Sequence, residues 1–258
     1  MKKETINKYN EALEYYKKCK SITKTVNDLK IGRKWFALYI RDKIEVINYQ
    51  NLISYNQDVF SKIDTEEKAY WLGFFYADGY VSKNSNHIEI SLQLSDINHL
   101  KKFNKFLNRT SKIHTNQNRC RISMNCKKLH EDLISKGCIP NKSLILKFPK
   151  KDVVSNYLVK HFIRGYFDGD GSIMHRTNKK YISPYISIIG TLEFIKDLRI
   201  RADWKILKIY KDKRHKNNTY FISYIGKYVY NMLDFLYEDA SIYLDRKYKK
   251  YLELKAVQ

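Results

Sequence analysis

The sequence predicts an α+β protein, a pseudo-twofold pair of α-β-β-α-β-β-α halves with saddle-shaped antiparallel sheets, preceded by a small helical domain. Three observations carry this expectation. The segment "WLGFFYADG" at 71–79 is echoed by "IRGYFDGDG" at 163–171, each copy is followed by the same succession of elements, and the first 50 residues show only helical periodicity. The chain is thereby divided into a helical domain at 1–50, a linker at 51–62, a first half at 63–150 and a second half at 151–258.

In the helical domain Ile6, Tyr9, Leu13 and Tyr16 recur at three- and four-residue steps. Ser21 is placed to cap a short helix carrying Val26 and Leu29, Gly32 marks a turn, and a further helix begins at Arg33-Lys34-Trp35. This is the layout of a helix-turn-helix, whose second helix enters a major groove, so Arg33 and Lys34 are candidate DNA contacts. A plain three-helix packing unit is the alternative. Residues 48–62 are polar with few apolar anchors and are expected to form a linker.

In the first half the motif is followed by a strand, "HIEISLQL", a helix, "DINHLKKFNKFL", a second strand, "CRISMN", and a helix, "CKKLHEDLI". In the second half the same order runs through "YISPYISII", "TLEFIKDLRI", "TYFISYIG" and "KYVYNMLDFL". Gly73 and Ala77 are four apart, as are Gly165 and Gly169, so each motif helix carries a strip of small residues along which two backbones can approach closely. Gly79 and Gly171 stand where a helix C-terminal glycine belongs.

Asp78 and Asp170 then fall in the last turns of two adjacent helices. Each carboxylate faces the negative end of its own helix dipole and, if the helices pair, the other carboxylate. A divalent cation relieves both penalties, and two converging acids with phosphate as a further ligand describe a Mg²⁺ site for phosphodiester hydrolysis. A lone Asp-Gly would read as a helix-ending turn; two copies in matching contexts favour the site.

Composition agrees with an anionic partner. Across 258 residues, 49 Lys and Arg against 27 Asp and Glu give a formal net charge of +22, which points to a polyanion, nucleic acid first. The abundance of Lys, Asn, Ile and Tyr also fits an AT-rich coding genome, which inflates the charge. A membrane is disfavoured: there is no apolar run near ~18 residues, no apolar signal segment behind Met1 and no single basic amphipathic helix. The expectation is an intracellular protein. Cys19, Cys120, Cys126 and Cys138 form no CxxC pair; a zinc site with His130 is the minor reading beside reduced, structural thiols.

With these residues in view, the two motifs resemble those of the LAGLIDADG homing endonucleases, and the element order after each is similar to that family's half-domain. The resemblance spans residues 63–258, and the N-terminal helices resemble a helix-turn-helix appendage that some members carry. It implies a monomeric, sequence-specific double-strand DNA endonuclease using Mg²⁺ or another divalent cation. The cuts would fall across the minor groove near the centre of a long, imperfectly palindromic target, promoting mobility of an intron or similar element. The family's metal-binding acid is the eighth motif residue, here Asp78 and Asp170. At the sixth place the first copy has Tyr76 where the second keeps Asp168.

The resemblance also places a polar residue near the end of the strand after the motif, which Gln93 supplies in the first half. The second half offers only Ser187 and Thr191 there. Lysines in matching contexts, Lys142 in "IPNKS" with Lys247 in "LDRKY", and Lys127 with Lys227, are candidates to stabilise phosphate charge, against a plainer reading as solvated or phosphate-positioning groups. On the sheets and their loops, Lys83, Arg119 and Arg121 in the first half and Arg176, Lys179, Lys211 and Arg214 in the second are candidate DNA contacts. The alternative function is a binding protein on the same scaffold, either a regulator or a maturase acting on intron RNA. An intein core is disfavoured, since no flanking splicing residues are evident and the chain begins at Met1.

Overall fold

The computed structural model describes residues 3–19, 21–41, 55–178, 181–213 and 218–256. They form two compact units, one ending at Ser54 and one beginning at Tyr55.

The first unit holds α1 (Lys3–Cys19), α2 (Ile22–Asp28) and α3 (Arg33–Arg41). Tyr9, Ala12 and Tyr16 from α1, Val26 from α2, and Phe36 and Ile40 from α3 make its core. Ser21 Oγ accepts from the Lys24 backbone N–H at 3.2 Å, as its capping position predicts. The turn between α2 and α3 differs from expectation. Its left-handed residue is Lys30, φ 51°, while Gly32 has no positive φ. The Ile31 N–H bonds back to the Val26 carbonyl at 3.1 Å, closing a Schellman-type end in which Lys30 takes the strained place.

In the second unit, α4 (Glu66–Asp78) leads into β1 (Gly79–Val81), β2 (His87–Gln93), α5 (Ile97–Phe106), β3 (His114–Thr115), β4 (Arg119–Asn125) and α6 (Lys127–Ser135). The order repeats as α7 (Val159–Asp170), β5 (Gly171–Asn178), β6 (Tyr181–Gly190), α8 (Leu192–Arg201), β7 (Ile209–Lys211), β8 (Tyr220–Ile225) and α9 (Tyr228–Tyr237). A further helix, α10 (Asp245–Lys255), extends the second half beyond the predicted order. Each half has a four-stranded antiparallel sheet, ordered β1-β2-β4-β3 and β5-β6-β8-β7. The registers correspond: Gly79 pairs with Ile90 and Ile90 with Ile122, as Gly171 pairs with Ile188 and Ile188 with Ile222. Both isoleucines in each row are buried against the helices, so the residues between them along the strands form the opposite, solvent face.

One expectation is corrected. The linker predicted at 51–62 ends earlier: Val59 and Phe60 are buried, the Phe60 ring lies 5.6 Å from Phe75 and 5.8 Å from Phe106, and the Asn56 N–H bonds to the Leu107 carbonyl at 2.7 Å. One Val-Phe pair is enough to draw this segment onto the first half; residues 51–54 lie outside the described ones. Gly79 and Gly171 end their helices as expected, in extended backbone at φ −75° and −91°. They are glycines for lack of space, because a Cβ on either would overlap the Phe75 or Phe167 side chain one turn earlier.

None of the four cysteines is in a disulfide, and His130 bonds through Nε2 to the Ser82 carbonyl at 2.8 Å. Among the described residues no helix is long and apolar enough to cross a membrane.

Candidate active site

The site begins with how closely α4 and α7 pack. A Cβ on Gly73 would overlap the Phe162 carbonyl, a Cβ on Gly165 would overlap the Tyr70 carbonyl, and Gly169 abuts the Ala77 methyl. The strips predicted from the four-residue spacing therefore face one another, and only glycine admits this backbone contact. Aromatic residues on the remaining faces, among them Tyr70, Trp71, Phe74, Phe75, Tyr166 and Phe167, are buried and hold each helix in its own half.

This packing brings the two acids together. A methyl placed on Gly169 would come 3.2 Å from Asp78 Oδ2, so the Asp78 carboxylate lies against the last turn of the other helix. Burial first, and the Asp78 charge after it, raise the pKa of Asp170 to about 6 against the opposing Lys142 and Lys247 charges. Asp78 is exposed as a residue, yet burial of its carboxylate raises its pKa as well, against Lys247, Lys142, Arg246 and Arg119. The crowding around the carboxylate, rather than exposure of the whole side chain, sets its solvation. Among the described residues no three His, Cys, Asp or Glu cluster as a ready-made metal cage. The donor set is two carboxylates that repel each other at two helix C-termini, an arrangement a divalent cation relieves and whose remaining ligands would come from water and phosphate.

The two matched lysines approach their acids from below. Lys142 Nζ donates to the Gly79 carbonyl, just past α4. Lys247 Nζ donates to the Phe167 carbonyl at 2.5 Å and the Gly171 carbonyl at 2.6 Å, at the end of α7. Both ammonium groups thus cap helix C-termini and neutralise the dipole end on which the acids sit. Lys247 is almost wholly buried, and burial lowers its pKa to about 8 against the pull of Asp168, Asp78 and Asp170.

The sixth motif place differs between copies in chemistry but not in task. Asp168, fully buried, accepts from Tyr237 Oη at 2.6 Å, Tyr70 Oη at 2.7 Å and the Leu244 backbone N–H at 2.7 Å. It ties α7 to the segment that begins α10 and carries Lys247. Tyr76 donates from its hydroxyl to the Lys136 carbonyl at 2.5 Å, tying α4 to the segment that leads to Lys142.

Other predicted residues are dispersed. Gln93 is exposed at the end of β2, beside Arg119. Thr191, at the matching register of the second half, is buried, caps α8 and donates to the Leu146 carbonyl at 2.5 Å, which leaves it a structural part. Arg119 lies on the solvent face of β4 and bonds Ser91, while Arg121, two residues on, lies 3.9 Å from Glu89. Lys83 and Lys211 are exposed; Lys127 and Lys227 are exposed at the starts of α6 and α9. Arg33 and Lys34 are exposed at the start of α3 in the first unit. Arg176 lies in β5, with its side chain outside the described part, and Lys179 and Arg214 lie outside the described residues. A cavity of ≈ 220 Å³ opens beside Asp170, lined among others by Lys142, Tyr166 and Thr191.

Arg164 was missed. It is fully buried in α7, donates to Glu66 Oε1 at 2.6 Å at the start of α4, and bonds the Leu236 and Ile242 carbonyls at 3.0 and 2.8 Å. The signal was an arginine inside the apolar run "HFIRGYF", directly before the packing glycine. Arg246, whose Nε lies 3.0 Å from Asp96 Oδ2, is a second such tie between the halves.

Comparison with known proteins agrees with this architecture. Residues 65–139 match the sequence model of the LAGLIDADG-like domain. The fold is that of the LAGLIDADG meganucleases. The meganuclease I-AabMI, solved bound to uncleaved DNA, superposes with a TM-score of 0.51 at 13% identity over 73% of this chain and 88% of that one. A point mutant of I-SmaMI superposes with a TM-score of 0.52 at 11% identity over 73% of this chain and 90% of that one. No curated protein matches the sequence.

Proposed function

We propose that the protein is a site-specific double-strand DNA endonuclease that hydrolyses phosphodiester bonds with Mg²⁺ or another divalent cation, and that it promotes the mobility of an intron or similar element. The observation that carries this reading is the meeting of Asp78 and Asp170 at the ends of two backbone-packed helices, each directly before the first strand of its half's sheet. A duplex lying along the solvent faces of both sheets would present one strand to each acid. A divalent cation held by Asp78 and Asp170 would neutralise phosphate charge and acidify water for in-line attack. The chain itself holds the two carboxylates in register through Gly73 and Gly165, and fixes the helix ends through Lys142 and Lys247. Exposed Arg119, Arg121, Lys83, Lys127, Lys211 and Lys227 position the duplex.

The same reading assigns the first unit a separate DNA contact through α3, where Arg33 and Lys34 flank an exposed Trp35. One chain carries both acids, so a monomer would cut both strands. The fold of DNA-bound meganucleases and the excess of basic residues support the reading.

The test uses the full chain and a pool of randomised duplexes. Bound sequences would be selected, cloned into plasmid and incubated with Mg²⁺ or with chelator. The expected result is linear plasmid with Mg²⁺ and intact plasmid with chelator. Tight, specific binding with no cleavage under any divalent cation would instead make the protein a binder on this scaffold, a regulator or an RNA-acting maturase.

A further inference from the structure

The pseudo-twofold registers allow the solvent faces of the two sheets to be compared row by row. In the first half one row runs Ser91, Arg121, His114 across β2, β4 and β3; its counterpart in the second half is Ile189, Phe221, Tyr210 across β6, β8 and β7. Another pair of neighbours, His87 and Asn125, is matched by Tyr185 and Ile225, with Met174 beside Tyr185 on β5. Between these rows lie Tyr80, Glu89 and Ser123 in the first half and three serines, Ser172, Ser187 and Ser223, in the second.

The first face is therefore built of hydrogen-bonding and charged groups, with Tyr80 its large apolar side chain. Among the described side chains the second is two apolar bands separated by a serine band. These apolar groups are not core: Met174, Tyr210 and Ile225 are 42%, 45% and 47% exposed. Tyr210 and Phe221 stack at 5.4 Å with planes 26° apart, so this end of the face is ordered. Exposed Lys208, Lys211 and Lys213 flank the apolar face along β7, which suits a polyanion with an apolar groove better than a protein or a lipid surface.

A DNA major groove is that surface. Its base edges carry hydrogen-bonding atoms at every pair, but an apolar projection, the 5-methyl group, only at thymine. We infer that the two halves read DNA by different chemistry: the second sheet recognises thymine methyl groups through Met174, Ile189, Phe221, Tyr210 and Ile225, and the first reads hydrogen-bonding edges through Arg119, Arg121 and Asn125. The target is then asymmetric, one half-site rich in thymine contacts and the other read through guanine and adenine edges. This inference rests on the proposed DNA-binding function.

The test begins with the full chain selecting sequences from a pool of randomised duplexes. Thymine in the selected sequence is then replaced by deoxyuridine in one half-site at a time, which removes methyl groups and leaves every hydrogen-bonding atom in place. In one half-site the replacement should weaken binding by about four-fold for each buried methyl, and in the other it should change binding little. Phe221→Ser should abolish that sensitivity; Ile225→Ser, at an exposed position that does not threaten folding, should reduce it. Arg121→Ser should leave it intact while relaxing sequence preference in the other half-site. Equal deoxyuridine sensitivity in both half-sites, or sensitivity that survives both second-sheet variants, overturns the inference but not the DNA-binding function. A pool that yields no enriched sequence overturns both.

Discussion

The ends of α4 and α7 reach the same geometry by different means. On the second side a buried carboxylate, Asp168, gathers two tyrosine hydroxyls and a backbone N–H, and a buried lysine caps the helix below it. On the first side a single tyrosine hydroxyl reaches a carbonyl, and the capping lysine is only half-buried. What the two sides share is the position of the last turn; what differs is how much buried polarity it takes to hold it. The acids they present differ in degree: burial raises the pKa of both carboxylates, and Asp170, beside Tyr166, is the more deeply set.

The helix contact common to both sides should be the most sensitive point. Gly165→Leu drives a side chain into the Tyr70 carbonyl, where neither backbone can yield. Overpacking in ordinary cores costs about 1–3 kcal/mol, and backbone overlap should exceed that range. Thermal melting is expected to show loss of the cooperative transition of the second unit. A melting curve equal to the parent's would mean the helices do not pack in this way.

The next comparison is between the sixth-place residues. Asp168→Ala strands Tyr237 Oη and the Leu244 N–H, leaves Tyr70 Oη with His99 alone and leaves Lys247 a buried, poorly compensated charge, at an expected cost of about 3–5 kcal/mol. Tyr76→Phe removes one bond to a carbonyl, at about 1 kcal/mol. Denaturant titration of both variants measures the difference; equal losses would deny that the two sides are held differently.

The paired helices, the two sheets and the two acids were legible in the sequence because each rests on spacing: glycine at every fourth place, alternating strands, and a motif written twice. What spacing does not carry was missed. Phe60 looked like a stray apolar residue in a polar stretch until it met Phe75 and Phe106. α10 falls after the repeated order of elements ends, so no repeat announces it; Lys247 within it stands out by the context it shares with Lys142, but its place against the carbonyls at the end of α7 shows only in the fold. The glycines ending the motifs are legible as helix ends, but their reason, the phenyl ring one turn earlier, is not written in the spacing.

The boundary at Tyr55 sharpens the contrast between the two units. A chain beginning at Tyr55 keeps Val59 and Phe60 and should fold and cut, whereas one beginning at Ser61 loses both and should melt earlier. Without the first unit, the footprint on selected DNA should shorten and the salt dependence of binding should become shallower, through lost phosphate contacts. An unchanged footprint and salt slope would make the first unit a packing or partner-binding element.

The last comparison concerns His99, which joins the Asp168 network through a 3.1 Å bond to Tyr70 Oη. Burial lowers its pKa to about 3. The unfolded chain, with histidine near ~6.5, therefore binds a proton that the folded one refuses. Its contribution is present above that pH and is lost as pH falls toward about 3, at up to about 1.4 kcal/mol per pH unit. Asp170, raised to about 6, acts in the opposite sense over part of that range. Subtracting the stability curve of His99→Phe from that of the parent isolates the histidine; parallel curves would contradict its buried, neutral state.

The central claim is that Asp78 and Asp170 each serve one strand of a bound duplex. It is tested most directly by assaying Asp78→Asn and Asp170→Asn separately on supercoiled plasmid carrying a selected target, with binding measured alongside by gel shift. The account predicts that both variants bind nearly as the parent does and that neither produces linear plasmid. Normal double-strand cutting by either variant would contradict it.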